Sequence, residues 1–130
     1  MPKFGNKSEK ELSTCAEPLV EICRTAIQVY DFSVIYGYRN KEQQNELFEN
    51  GMSKVIYPDS KHNIEPSRAV DLAPYPIDWK DIKRFYYLAG IIMSVAYLLD
   101  YKIRWGGDWD IDTDFNDQTF FDLGHFEIKT

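Results

Sequence analysis

"FSVIYGYRNKEQQNELFENG", residues 32–51, changes its periodicity partway along. The β-branched and aromatic run 32–39 reads as a strand that delivers Arg39 to its end. Asn40 then offers a good helix N-cap and Gly51 a stop, so 40–51 reads as a short helix. Upstream, Ser8-x-x-Glu11 forms a capping box, and Leu12, Cys15, Leu19, Val20, Cys23, Ile27 and Tyr30 follow at helical spacing. One long amphipathic helix is predicted over about 9–30.

Downstream, residues 52–68 hold two prolines and no sustained period, which predicts a loop with at most a short strand near "KVIY" (54–57). "RAVDLAPYP" (68–76) reads as a brief strand ended by prolines. Phe85, Leu88, Ile91, Ile92, Val95, Leu98 and Leu99 predict a buried helix from Ile82 to about Tyr101. "KIRW" (102–105) and "HFEIK" (125–129) read as the last strands, separated by the acidic stretch "GGDWDIDTDFNDQTFFDLG". This order predicts a small single α+β domain with an antiparallel sheet flanked by helices. His62, Asp71 and His125 fall at or near strand ends, so the cleft is expected there.

The composition agrees with a packed globule: 44% of the 130 residues are hydrophobic and 15% aromatic. A net charge of −6 and no basic run of five residues argue against nucleic acid as a partner. The most apolar window, 85–99, is shorter than the ~20 residues that cross a bilayer, so no membrane span is expected. "MPKFGNKSEKEL" lacks an apolar h-region and a cleavage site, which predicts cytoplasmic synthesis without a signal peptide. Cys15 and Cys23, eight apart on the expected long helix, are beyond disulfide reach and read as core thiols.

The chain's two histidines both stand near carboxylates, in "SKHNIEPSRAVD" (60–71) and "DLGHFE" (122–127). Neutral imidazole and carboxylate are zinc ligands, and a catalytic zinc takes three protein ligands and leaves a fourth place open. His62, Asp71 and His125 supply such a set; the alternative for any single His–Asp pair is a surface or capped core histidine. Asp122 precedes His125 by three residues, and a sharp turn through Gly124 would let it serve as general base.

Four blocks in order, "GYRNKEQQ" (37–44), "SKHNIEPSRAVDL", "RWGGDW" (104–109) and "DLGHFEI", resemble the zinc peptidases of the D-alanyl-D-alanine carboxypeptidase type. They are most similar to the compact phage endolysins that cleave the L-alanyl-D-glutamate bond of peptidoglycan. The resemblance implies one zinc per chain held by His62, Asp71 and His125, Asp122 as catalytic base, and Arg39 facing the scissile carbonyl. A guanidinium there stabilises charge that develops in the transition state; a surface ion pair is the other reading of Arg39.

Gln44 matches the family glutamine and either orients the arginine, touches the peptide, or is a plain surface residue. Ser60 either holds its loop or binds substrate. Trp105 and Trp109 either wall the cleft, with Trp105 the candidate for substrate contact, or belong to the core. Eight residues separate His62 from Asp71, more than the family's usual spacing, and Glu65-Pro66 stands where glycine is common. A second ion, calcium, is the lesser reading of Asp108, Asp110, Asp112 and Asp114. Thr113 and Thr119 break the EF-hand pattern at two defining places, and a solvated acidic loop is the greater reading.

The resemblance thus implies a zinc metallopeptidase acting on the peptidoglycan stem peptide as a host-lysis enzyme. It would be a monomer and a single peptidase domain over 1–130 with no wall-binding module, reaching the cell wall after release. A D-Ala-D-Ala carboxypeptidase and a non-catalytic zinc-binding domain of the same fold are the alternatives.

Overall fold

The computed structural model describes residues 2–114 and 122–129. The elements run α1 (Asn6–Leu12), α2 (Glu17–Ala26), β1 (Phe32–Tyr36), α3 (Lys41–Glu49), a 3-10 turn (Lys61–Asn63), β2 (Ala69–Pro74), α4 (Ile82–Leu98), β3 (Ile103–Gly106) and β4 (Asp122–Ile128). The four strands form one antiparallel sheet in the order β1-β2-β4-β3. The α+β architecture expected from the sequence is the one observed.

The expected long helix is two. Pro18 lacks an amide hydrogen, and its ring would crowd the carbonyl of Thr14 in a continuous helix, so it sits instead in the first turn of α2, where no donor is needed. The connector between α1 and α2 has a structural task of its own. Ala16 donates to the Ser67 carbonyl at 2.8 Å and Ser67 donates to the Thr14 carbonyl at 2.8 Å, a parallel bridge centred on Cys15. Ser8 is no cap either: it is buried within α1, and its Oγ accepts the Val34 amide at 3.0 Å, fastening α1 to β1. Both cysteines are buried and free as expected, although on different elements.

α3 begins where expected, with a full capping box between Asn40 and Gln43. No strand forms at 54–57, where Val55 and Ile56 are exposed. α4 ends at Leu98 rather than near Tyr101. Asp100 turns left-handed at φ 64°, Tyr101 donates to the Ala96 carbonyl at 2.8 Å and Asp100 to that of Tyr97 at 3.1 Å. That is a Schellman stop with aspartate in the usual glycine place.

The core lies on one side of the sheet. Val70 and Leu72 of β2, Phe126 of β4, and Ile103 and Trp105 of β3 pack there against Leu88, Ile92 and Ala96 of α4, with Leu19, Ile22 and Cys23 of α2 alongside. Side chains alternate across a strand, so the residues between these point to the other face. Those residues are Asp71, Arg104, His125 and Glu127.

Candidate active site

The register of β2 and β4 places Asp71 directly opposite His125. Both stand mid-strand, level with Tyr36 at the end of β1, which pairs with Asp71. His62 arrives from the 3-10 turn, whose N-cap Ser60 accepts the His62 amide through Oγ at 3.1 Å. The Arg39 amide donates to the His62 carbonyl at 2.8 Å and ties this turn to the segment following β1. Ser60 therefore holds the loop.

His62 Nε2 lies 3.1 Å from Asp71 Oδ1 and 3.3 Å from His125 Nδ1, and His125 Nδ1 lies 3.0 Å from Asp71 Oδ1. The outer nitrogens are committed elsewhere. His62 Nδ1 sits 2.7 Å from the Gly37 carbonyl oxygen, which only accepts, so this nitrogen carries the proton. His125 Nε2 is likewise 2.9 Å from Glu127 Oε1. Each neutral ring then turns a bare lone pair inward, beside a carboxylate oxygen. Three acceptors converging with no donor among them form a cation's coordination set, and two nitrogens with one oxygen fit a metal that keeps a place for water or substrate.

When no ion is bound, protons must hold these groups together. Burial opposes a charged His125, but hydrogen bonds to Asp71 and Glu127 outweigh it and raise its pKa to about 9. Burial also pushes Asp71 upward, yet the charge on His62 and hydrogen bonds from both rings hold its carboxyl well below the usual range. Glu127 is held down to about 2 against its own burial by hydrogen bonds from His125 and Arg104.

Arg39 is buried beside this cluster. Its Nη2 pairs with Asp71 Oδ2, its Nη1 donates to Gln44 Oε1 at 3.2 Å, and its guanidinium lies 4.5 Å over the Tyr36 ring. Gln44 is fully buried and donates to Ser53 Oγ at 2.9 Å and the Val55 carbonyl at 2.8 Å. Of the three sequence readings of Gln44, orienting the arginine is the one the geometry supports.

Asp122 Oδ2 lies 3.9 Å from His125 Nδ1, with its side chain 42% exposed to the cleft. Residues three apart in a regular strand face opposite ways, so this proximity needs an irregularity. Trp105 pairs with Phe126 while the next residue, Gly106, pairs with Asp122; the surplus in β4 turns Asp122 back toward His125. Gly124 is therefore part of the strand rather than a turn. A side chain there would strike the Leu72 carbonyl oxygen, and one at Gly106 would strike that of Asp122. Partial burial and the nearby negative charge of Asp71 raise the pKa of Asp122 above the ordinary carboxylate value.

Trp105 does not reach the cleft. It is buried among core residues on the far face of the sheet, its ring meets Tyr86 edge-on, and its Nε1 donates to the Leu123 carbonyl at 2.8 Å. Trp109 takes the first of its two readings and lines the cleft, with its ring 5.5 Å from that of His125. Glu127 is the residue whose role the sequence reading missed. Besides His125 it binds Arg104 Nη2 at 2.7 Å and Lys61 Nζ at 3.1 Å, and its place two residues after His125 in a strand was the signal that they share a face.

The cleft has two lobes that share Arg39, Met52 and Asp122. One, about 260 Å³, is polar and includes Lys54, Lys61, Arg104, Trp109 and Glu127. The other, about 460 Å³, is bounded by Ile35, Tyr36, Leu47, Leu72 and Trp79. Away from the histidines, Asp108, Asp110 and Asp112 form a second acidic group, where the Asp108 carboxylate accepts the amides of Asp112 at 3.2 Å and Thr113 at 2.9 Å. Thr119 of the calcium reading lies outside the described residues.

The chain is similar to known proteins over nearly its full length. The family model described as phage L-alanyl-D-glutamate peptidase matches residues 1–129. The L-alanyl-D-glutamate peptidase of Escherichia phage T5 is 33% identical over 134 residues, covering 97% of each chain. The crystal structure of the Serratia marcescens L-Ala D-Glu endopeptidase ChiX superposes with a TM-score of 0.77 at 25% identity, covering 99% of this chain and 90% of that one. With its fold, its clustered histidines and carboxylates, and these matches over nearly its full length, the chain belongs to the phage L-alanyl-D-glutamate peptidase family.

Proposed function

We propose that the chain is a zinc-dependent endopeptidase that hydrolyses the L-alanyl-D-glutamate bond of the peptidoglycan stem peptide, acting as a phage endolysin. The observation that carries the reading is the half-exposed carboxylate of Asp122 set 3.9 Å from one nitrogen of the three-acceptor cluster. A purely structural metal site has no use for such a base.

His62, Asp71 and His125 would hold the zinc. When bound, the ion supplies Lewis acidity, polarising the scissile carbonyl and making water a stronger acid. Asp122 takes the proton from the attacking water and returns it to the departing amine. The upward push on its pKa brings its proton affinity closer to what that shuttle needs. Arg39 steadies the ligand Asp71 and offers positive charge to the developing oxyanion. Gln44 fixes the arginine, and Ser60 fixes the turn that carries His62. The protein would act as a monomer and a single peptidase domain, made in the cytoplasm and meeting the wall after release. Among the described residues no helix is long and apolar enough to cross a membrane.

The deciding experiment is mass analysis of fragments released from purified peptidoglycan by the zinc-loaded protein. New amino-terminal glutamate paired with new carboxyl-terminal alanine is expected; release of terminal D-alanine instead would reassign the activity to a carboxypeptidase.

A further inference from the structure

We propose that Arg104, laid over the ring of Trp109, binds the free carboxylate of the glutamyl residue on the leaving side of the scissile bond. The assignment rests on the L-alanyl-D-glutamate reading above and extends it to how the substrate is oriented. A glutamyl residue linked through its amino group and one carboxyl keeps a second carboxyl, ionised at neutral pH and only a few bonds from the scissile nitrogen. Asp122 and Glu127 would repel that charge, so the cleft must meet it with a cation.

Four basic residues line the polar lobe. Arg39 is buried and engaged by Asp71 and Gln44. Lys61 binds the Ile128 carbonyl at 2.9 Å as well as Glu127, and Lys54 lies exposed on the rim. Arg104 differs. Its side chain is 37% exposed, and among the described residues its hydrogen bonding runs through Nη2, to Glu127. The other terminal nitrogen, Nη1, is left for a ligand.

Its guanidinium stands 5.4 Å from the centre of the Trp109 ring, which limits the plane it can adopt and favours recognition of a planar carboxylate. Trp109 in turn lies 5.5 Å from His125, so this cation stands one aromatic ring away from a ligand of the metal cluster. The lobes then assign a direction. The glutamyl side enters the lobe of Arg104 and Trp109, and the alanyl side faces the apolar lobe of Tyr36, Leu47 and Trp79.

The test compares two substrates of the zinc-loaded protein: N-acetyl-L-alanyl-γ-D-glutamyl-L-lysine, and the same peptide with the free glutamyl carboxyl converted to an amide. The wild type should favour the acid by about 10- to 100-fold in kcat/KM, chiefly through KM, as expected for a charge-assisted hydrogen bond. Arg104→Gln should shrink that preference to about threefold or less with zinc content unchanged, and Arg104→Lys should restore part of it.

Equal cleavage of both peptides by the wild type overturns the assignment. So does an Arg104→Gln variant that slows both alike and keeps the preference, which would leave Arg104 as a support for Glu127 alone. A wild type that holds zinc but cleaves neither peptide sinks the L-alanyl-D-glutamate reading itself, and this assignment with it.

Discussion

Glu127 Oε1 lies 2.9 Å from His125 Nε2, across the ring from the nitrogen that meets Asp71, and its other oxygen is held by Arg104 and Lys61. A carboxylate in that position fixes the tautomer and tilt of the imidazole and raises its strength as a ligand. Glu127→Gln keeps the shape and removes the charge. Zinc affinity, read by competition with a chelator, should fall about 10- to 100-fold. An unchanged affinity would mean that the strand backbone alone orients His125.

Asp122→Asn should retain zinc and fold while losing a factor on the order of 100 to 10,000 in turnover of purified peptidoglycan, the usual contribution of general acid-base catalysis. Zinc content and rate must be measured on the same sample. A variant that binds zinc and lyses walls at the parent rate would remove Asp122 from the mechanism.

Arg39→Ala has two expected consequences because the guanidinium touches Asp71, the carboxylate proposed to hold the metal. The rate should fall on the order of 100-fold from loss of the oxyanion donor. Zinc should also bind more weakly, since Asp71 loses its buried partner. If affinity drops but the rate at saturating zinc is normal, Arg39 supports the metal ligand and nothing else.

Proton linkage offers a test that needs no substrate. With His125 raised to about 9, the zinc-free protein carries that proton at pH 7, whereas a metal ligand must give it up. Calorimetry in buffers of different ionisation enthalpy should therefore report about one proton released per zinc near neutrality. The sign for stability follows: a raised pKa favours the folded zinc-free protein fully below the ordinary histidine value near 6.5, and this contribution is lost as pH rises through about 9. No proton release at pH 7 would show that His125 is already neutral in the zinc-free state.

Asp100→Gly should stabilise the domain by about 1 kcal/mol, because aspartate occupies a left-handed position at φ 64° that glycine adopts without strain. Chemical denaturation measures it. A loss of stability would mean that the aspartate side chain contributes more than the backbone strain costs.

The cluster of His62, Asp71 and His125 was legible because few side chain types can bind zinc and the chain holds just two histidines. The start of α3 was legible too, since Asn40 and Gln43 satisfy each other's amides within four residues. What escaped depended on distant partners or on strand parity. The break between α1 and α2 did have a local signal in Pro18, but the bonds the connector makes to Ser67, far along the chain, had none. Trp105 was left between cleft and core because hydrophobic size does not say which face of a strand a residue takes. Its alternation with Arg104, and the pairing of Arg104 with Glu127, put it in the core. The nearness of Asp122 to His125 arises from a register slip against β3 that no local pattern announces.

The opposition of Asp71 and His125 across neighbouring strands also makes the bound ion a gauge of how β2 and β4 align. A one-residue slide between them would turn a leucine or valine toward the histidine and send Asp71 into the apolar side, abolishing coordination. Zinc would then select the correctly aligned sheet from its near misses. Refolding with the ion present should raise the yield of the native arrangement, beyond any rise in its melting temperature.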